Sequence, residues 1–96
     1  MLKHVVFMKF KPVVTAPDID QLKRDLGGLP ALIPEIKEFV FGQDILRTER
    51  SWDFALVSAF ENVEAMNRYQ VHPDHQVVLQ KVRAMCDSIV VVDFEF

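Results

Sequence analysis

The sequence predicts an α+β fold in which four strands and the helices between them follow the order β-α-β-β-α-β. Segments rich in β-branched and aromatic residues, which are typical of strands, lie at 4–10, 36–46, 53–60 and 89–96. The first and last gaps between these strands carry apolar residues at helical spacing. This order is that of a ferredoxin-like subunit, whose strands form one four-stranded antiparallel sheet.

The composition indicates one globular domain that spans residues 1–96. The chain is 50% hydrophobic and 26% charged, and its net charge is −3 without a cluster of Lys and Arg. We expect no nucleic-acid partner, because phosphate binding needs clustered positive charge. No apolar run approaches the roughly 20 residues of a membrane span, and no signal peptide is expected. The single cysteine, Cys86, cannot form an internal disulfide, so a cytoplasmic location is expected.

The N-cap of the first helix is expected to be Thr15 or Asp18. If it is Asp18, Gln21 would complete a reciprocal capping box. Gly27 and Gly28 are expected to end or loosen this helix, and the prolines that follow prevent a long continuation. Its buried stripe consists of Ile19, Leu22, Leu26 and Leu29.

The second half of the chain predicts two further helical segments. Gly42 indicates a bulge in the second strand, and residues 47–51 indicate a hairpin loop. Asn62 is expected to cap a helix that Pro73 interrupts. The stripe of the first segment is Val63, Met66 and Tyr69, and that of the second is Val78, Leu79, Val82, Met85 and Cys86.

Both faces of the predicted sheet are apolar, although the chain supplies helices for only one of them. In the first strand His4, Val6, Met8 and Phe10 share one face, and Val5 and Phe7 share the other. An uncovered apolar face of this size is larger than monomers usually expose. We therefore expect a homodimer whose sheets pack face to face around a two-fold axis.

The segment "YQVHPDHQVV" (69–78) holds the only tyrosine and two of the three histidines. If Pro73 is the first helical residue, His72 is the N-cap and His75 is the third residue of the helix. The helix dipole disfavours a charged imidazole at His75, and a neutral imidazole can act as a general base. Asp74 favours the charged form, so the sequence leaves the direction of the pKa shift open.

Tyr69, His75 and His4 would line one cavity if the face of His4 is the one that the helices cover. Each also has a simpler interpretation: a core ring for Tyr69, a surface side chain for His75 and a hydrogen-bonded core histidine for His4. His72 is most simply a polar residue before proline. A metal site made of the three histidines is disfavoured, because only Asp74 could add a ligand and Pro73 breaks the helical spacing.

Four segments together resemble one known family. They are "HVVFMKFK" at the start, "LPALIP", "YQVHPDH" and the closing apolar strand, and they cover essentially the whole chain in order. The chain is similar to the stress-responsive dimeric α/β barrel (Dabb) family. The resemblance implies a ferredoxin-like subunit that pairs into a dimeric α/β barrel.

One branch of that family is similar to plant polyketide cyclases, which close a ring by an aldol-type condensation with a tyrosine and a histidine. The resemblance places this pair at Tyr69 and His75, and His4 matches a further histidine of that pocket. Phe54 stands where those cyclases have another pocket histidine, so one hydrogen-bonding group is missing here.

Two functions of different class follow. The first is an acid/base enzyme that needs no cofactor, in which His75 removes a proton next to a carbonyl, Tyr69 binds the oxygen and His4 orients the pair. Its substrate would be a small apolar carbonyl compound, because the expected lining is hydrophobic. The alternative is a dimeric, non-catalytic protein that binds a small apolar ligand or is associated with stress. The expected lining consists of His4, Met8, Phe10, Phe54 and Leu56.

Overall fold

A computed structural model describes all residues, 1–96, and contains four strands and three helices. In chain order these are β1 (Leu2–Phe10), α1 (Ala16–Leu32), β2 (Glu38–Gln43), β3 (Phe54–Phe60), α2 (Val63–Val71), α3 (Pro73–Met85) and β4 (Cys86–Glu95). The strands form one sheet in the order β2-β3-β1-β4, and every neighbouring pair is antiparallel. The predicted ferredoxin-like fold is confirmed.

The helices cover one face of the sheet, and the core lies between them and that face. In β1 the even-numbered residues from Leu2 to Met8 are buried, while the residues between them are more exposed. In β3 Phe54, Leu56 and Phe60 lie on the same covered face. This is the alternation expected for a sheet with one covered side. It places His4 on the side of the helices, as the cavity prediction requires.

The other face of the sheet carries apolar side chains that no part of the chain covers. The register of β1 with β4 sets Val5 opposite Val92 and Phe7 opposite Val90. Phe7, Val90, Val92 and Phe94 are all exposed. We call this surface, together with Val40 and Val57, the open face.

Helix α1 is longer than its glycines and proline predicted. Thr15 is the N-cap: its hydroxyl accepts the backbone N–H of Asp18, and the Asp18 carboxylate accepts the backbone N–H of Thr15. The alternative N-cap at Asp18 is therefore wrong. The helix continues through the glycine pair and Pro30 to Leu32. A glycine costs roughly 1 kcal/mol in a helix, whereas burial of a leucine or isoleucine gains about 1.5–3 kcal/mol. Leu29 and Ile33 are both buried, which offsets much of the cost of the glycine pair and Pro30.

Three further sequence expectations are wrong in detail. Gly42 pairs with Ala55 in an unbroken register, so it forms no bulge; the register shift lies instead between β1 and β4, at Lys9 and Phe10. Strand β4 begins at Cys86, which the apolar spacing had placed on the preceding helix. Val63 is exposed because it is the first residue of α2, beyond the reach of the core.

The second strand is also shorter than predicted, because residues 44–53 form a loop held by charged groups. The Arg47 guanidinium donates to Asp44 and, over 2.7 Å, to Asp53. The Asp53 carboxylate also accepts the backbone N–H of Phe10 at 2.7 Å. These bonds tie the loop to the end of β1.

Candidate acid/base site

A proline creates the site by breaking one helical region into two. Helix α2 ends at Val71, and His72 is extended because the ring of Pro73 disfavours a helical conformation in the residue before it. Pro73 then opens α3 as its first residue, and His72 Nδ1 accepts the backbone N–H of Asp74 at 3.1 Å. The predicted roles of His72 as N-cap and Pro73 as first residue are confirmed.

The same break fixes the tautomer of His75. The carbonyl of Gln70, in the last turn of α2, has no helical partner and lies 3.0 Å from His75 Nδ1. A carbonyl can only accept, so Nδ1 carries the hydrogen and Nε2 of the neutral ring keeps its lone pair. No protein group binds Nε2, and no buried side-chain nitrogen or oxygen lacks a partner. Nε2 is therefore reachable from the adjacent cavity.

The His75 ring is neutral near pH 7. Only 8% of the residue is exposed, and this burial is the main reason that the pKa of His75 is lowered from its ordinary value of 6.5. The hydrogen bond to Gln70 raises the pKa, while electrostatic repulsion of a charged ring by Arg83 and by the neighbouring histidines lowers it further. The Asp74 carboxylate lies beside the other histidine of the motif, with its Oδ2 3.8 Å from His72 Nδ1. The question that the sequence left open is thereby answered in favour of a neutral base.

Tyr69 brings a hydroxyl group beside this base. Its ring centroid lies 4.3 Å from that of His75 and 4.9 Å from that of Phe60, and the residue is 1% exposed. The hydroxyl makes no hydrogen bond to the protein, yet it is not a buried unsatisfied group, so it faces the cavity. Burial raises the pKa of Tyr69 well above its usual range. Tyr69 therefore remains a neutral hydrogen-bond donor.

His4 completes the polar end of the cavity from the opposite wall. Its Nδ1 is hydrogen-bonded to the carboxylate of Asp93 on β4, which lies directly opposite in the register. A carboxylate holds the hydrogen on Nδ1, so Nε2 is the acceptor that remains. His4 and His75 thus hold the same tautomer, one through a carboxylate and the other through a backbone carbonyl.

The cavity measures about 290 Å³ and opens between α3 and the β1–β4 side of the sheet. This volume is at the small end of the range for ligand sites, roughly 300–1,000 Å³. Its polar lining residues are His4, Tyr69, Gln70, His75 and Arg83, and its apolar ones are Val6, Met8, Leu26, Leu56, Val78, Leu79, Val82, Ile89 and Val91.

The structure brings together five of the seven residues that the sequence suggested for a site. Tyr69, His75, His4, Met8 and Leu56 all line the cavity. Phe10 and Phe54 do not, and this part of the expectation needs correction. They lie on the same face but at the other end of the sheet, where Phe54 is 2% exposed and packs against Phe10 and Phe41.

Asp93, Gln70 and Arg83 were missed by sequence reasoning. Asp93 had a visible signal, since it is an acidic residue on the face that Ile89 and Val91 share in β4, and the register sets it directly opposite His4. The Gln70 carbonyl acts through its backbone, which leaves no trace in residue type. Arg83 follows the stripe residue Val82 on α3, and helical spacing alone does not indicate that a charged residue borders the cavity.

Other reactive groups lie apart from this cavity or have no partners for metal binding. No three His, Cys, Asp or Glu side chains are close enough together to hold a metal ion. Cys86 is buried, and burial with the nearby Asp53 and Asp87 raises the pKa of its thiol to about 11. It is thus a small buried side chain, as expected. None of the three helices combines the length and apolarity needed to cross a membrane.

Comparison with known proteins identifies one family over nearly the whole chain. Residues 2–96 match the family described as "Stress responsive A/B Barrel Domain". Olivetolic acid cyclase of Cannabis sativa is 24% identical over 97% of this chain and 94% of its own. A dimeric ferredoxin-like protein of unknown function from Thermobifida fusca is 32% identical with a TM-score of 0.92, over 99% of this chain and 90% of its own. Hydroxynitrile lyase of Passiflora edulis is 26% identical with a TM-score of 0.87, over 97% and 90%.

Proposed function

The chain belongs to the stress-responsive A/B barrel domain family, and we propose that it is an acid/base enzyme that acts on a small, largely apolar carbonyl compound. One observation carries this proposal: a neutral base and a neutral donor, on adjacent rings, both direct unbonded polar atoms into one cavity. The named activities of two similar proteins, a cyclase and a hydroxynitrile lyase, differ from one another. These names therefore leave the overall reaction open, and the proposal is restricted to a proton-transfer step.

In the proposed step His75 Nε2 removes a proton from the carbon next to the substrate carbonyl. The C–H bond breaks, its electron pair moves into the carbon–carbon bond, and negative charge builds on the carbonyl oxygen. The Tyr69 hydroxyl donates a hydrogen bond to that oxygen, which stabilises the developing enolate. His4 accepts a hydrogen bond from the substrate through Nε2 and so orients it. The proton on His75 returns to the product, which restores the neutral ring.

The cavity wall supports the choice of substrate. Met8, Leu56, Val78 and Val82 line it with apolar surface, and a low-dielectric surrounding strengthens the hydrogen bond from Tyr69. Phe54 stands where the resemblance to the cyclases implies a further pocket histidine, and it does not line the cavity.

Deuterium exchange tests the proton-transfer step without knowledge of the natural substrate. Small ketones are incubated with the protein in D₂O, and loss of the α-hydrogen signal is followed by proton NMR. We expect exchange above the buffer rate that falls to that rate in His75→Gln. His72→Asn is the matched control: it changes the other histidine of the motif, keeps a capping side chain and should leave exchange unchanged.

The same experiment separates the enzyme from a non-catalytic binder. If ketones bind in the cavity, as seen by chemical-shift changes, but never exchange faster than in buffer, the protein is the binder and the acid/base proposal is wrong. Equal exchange by the wild type and His75→Gln would also contradict it.

We further propose that two copies of the chain pair through their open faces. The open face is apolar and uncovered, and several structural neighbours are dimeric ferredoxin-like proteins. Sedimentation tests this with two substitutions of equally exposed valines. Val92 on the open face and Val77 on α3 are each 55% exposed. We expect Val92→Glu to give monomers and Val77→Glu to remain dimeric; a monomeric wild type at micromolar concentration would refute the dimer.

A further inference from the structure

Arg83 is an arginine without a partner at the lining of the cavity. It lies on α3, contributes to the cavity wall and makes no hydrogen bond or ion pair. Arg24, Arg47 and Arg68 are bonded to neighbouring side chains. Arg50 also has no partner, but it lies outside the cavity. The guanidinium of Arg83 is therefore free to bind a ligand.

The position of Arg83 relative to the base sets the length of such a ligand. His75 and Arg83 are eight residues apart on one helix, which corresponds to roughly 12 Å along its axis. Helical side chains lean toward the N-terminus of their helix, so the Arg83 side chain extends back toward His75. The wall between the two consists of Val78, Leu79 and Val82, with Val91 facing them from β4.

The charges of the cavity are unbalanced. Among the lining residues none is acidic, and Arg83 is the only one with a permanent charge. Asp93 lies nearby but is bonded to His4, and Asp87, at the start of β4, forms no ion pair with Arg83. A ligand with an anionic end would supply the missing negative charge.

We propose that the cavity takes an elongated carbonyl compound with a carboxylate at the end distant from the reacting carbonyl, and that Arg83 binds this carboxylate. The inference rests on the proposed function for the placement of the carbonyl at Tyr69 and His75. The planar guanidinium matches a carboxylate with two parallel hydrogen bonds. The apolar wall between the two ends contacts the hydrocarbon part of the compound.

A matched pair of ligands tests the carboxylate site. The probes are 9-oxodecanoate and its methyl ester, which share the distant ketone and differ only in the charge at the other end. Affinities are measured by isothermal titration calorimetry. We expect the acid to bind roughly five- to tenfold more tightly than the ester, a modest factor because Arg83 is solvent-exposed. Arg83→Gln should abolish this preference, and Arg83→Lys should retain part of it.

Lys81→Gln is the control, because it removes the same charge from the same helix. Lys81 is paired with Asp25 and lies outside the cavity. It should leave the preference for the acid intact, and equal loss in Lys81→Gln and Arg83→Gln would overturn the inference. So would equal affinity of the wild type for both probes, or no binding of the acid.

The readouts keep this inference apart from the proposed function. Tighter binding of the acid than of the ester tests the carboxylate site at Arg83. Deuterium exchange next to the ketone of the same acid tests His75 as the base. Loss of preference in Arg83→Gln without any exchange in the wild type would uphold the carboxylate site and reject the enzyme.

Discussion

The two ends of the helix-covered face are built from similar residues but differ in what lies beside their rings. At one end the rings of Phe10, Phe41 and Phe54 pack together, with centroid distances of 6.0 and 6.1 Å. At the other end Tyr69 and His75 are also buried, but they border a cavity of about 290 Å³. Aromatic side chains thus stabilise the first end and direct polar atoms into free volume at the second. Burial by itself does not distinguish a core residue from a functional one.

The largest effect is expected at the packed end. Phe54→Ala removes a ring that is 2% exposed and stacked on Phe41, so it should lower the free energy of unfolding by about 3–5 kcal/mol. Urea denaturation at one fixed protein concentration measures this. The folded variant should keep deuterium exchange, because Phe54 lies outside the cavity. A loss of less than about 1 kcal/mol would contradict the close packing of Phe54 at this end.

At the cavity end a comparably buried ring should behave in the opposite way. Tyr69→Phe keeps the ring and removes a hydroxyl with no protein partner, so the free energy of unfolding should change by less than about 1 kcal/mol. Deuterium exchange should fall by roughly 10²–10³, the usual loss when one donor to a developing oxyanion is removed. Unchanged exchange, or a large loss of stability, would make Tyr69 an ordinary core residue.

The two histidines of the central motif provide a smaller contrast. His72→Ala removes the side chain that caps α3, which should cost about 1 kcal/mol of stability. Exchange by the folded protein should stay within about twofold of the wild type, as expected for a group without a chemical role. A loss of exchange as deep as that of His75→Gln would show that His72 takes part in the reaction.

The smallest effect is on the pH dependence of stability. Unfolded His75 has the ordinary pKa of about 6.5, and the folded residue has a lower one because of burial. Its contribution is complete above pH 6.5 and is lost as the pH falls toward the folded pKa, since the unfolded chain binds the proton first. The carboxyl groups of Asp18, Glu35 and Asp53 also have lowered pKa values, but they act in a more acidic range.

Urea denaturation at several pH values measures this contribution. Between pH 7.5 and pH 5.5 the wild type should lose more stability than His75→Gln, which cannot titrate there. Parallel curves for the two proteins would mean that His75 is not buried in the neutral form.

Local patterns in the sequence were enough to predict the elements and most of the polar site. Pro73 set the break between α2 and α3, Asn62 set the start of α2, and alternation in β1 set the face of His4. Alternation shows which face of the sheet a side chain lies on, but it does not show where along the strand the cavity lies. For this reason it could not separate Met8, which lines the cavity, from Phe10, which does not.

Several of the misses share one physical origin, which is tertiary packing. Burial of Leu29 and Ile33 carries α1 past its glycines, and pairing with β1 starts β4 at Cys86. The bond from Asp93 to His4 depends on the same register between β1 and β4. None of these contacts is local in the chain.

The protonation state of His75 tests the central claim most directly. A long-range proton–nitrogen NMR spectrum of the imidazole reports which nitrogen carries the hydrogen and at what pH the ring becomes charged. We predict a neutral ring at pH 7 with the hydrogen on Nδ1, a titration below pH 6.5 and a shift of the Nε2 signal when a ketone is added. A charged ring at pH 7, or a hydrogen on Nε2, would contradict the account, because His75 could then accept no proton from a substrate.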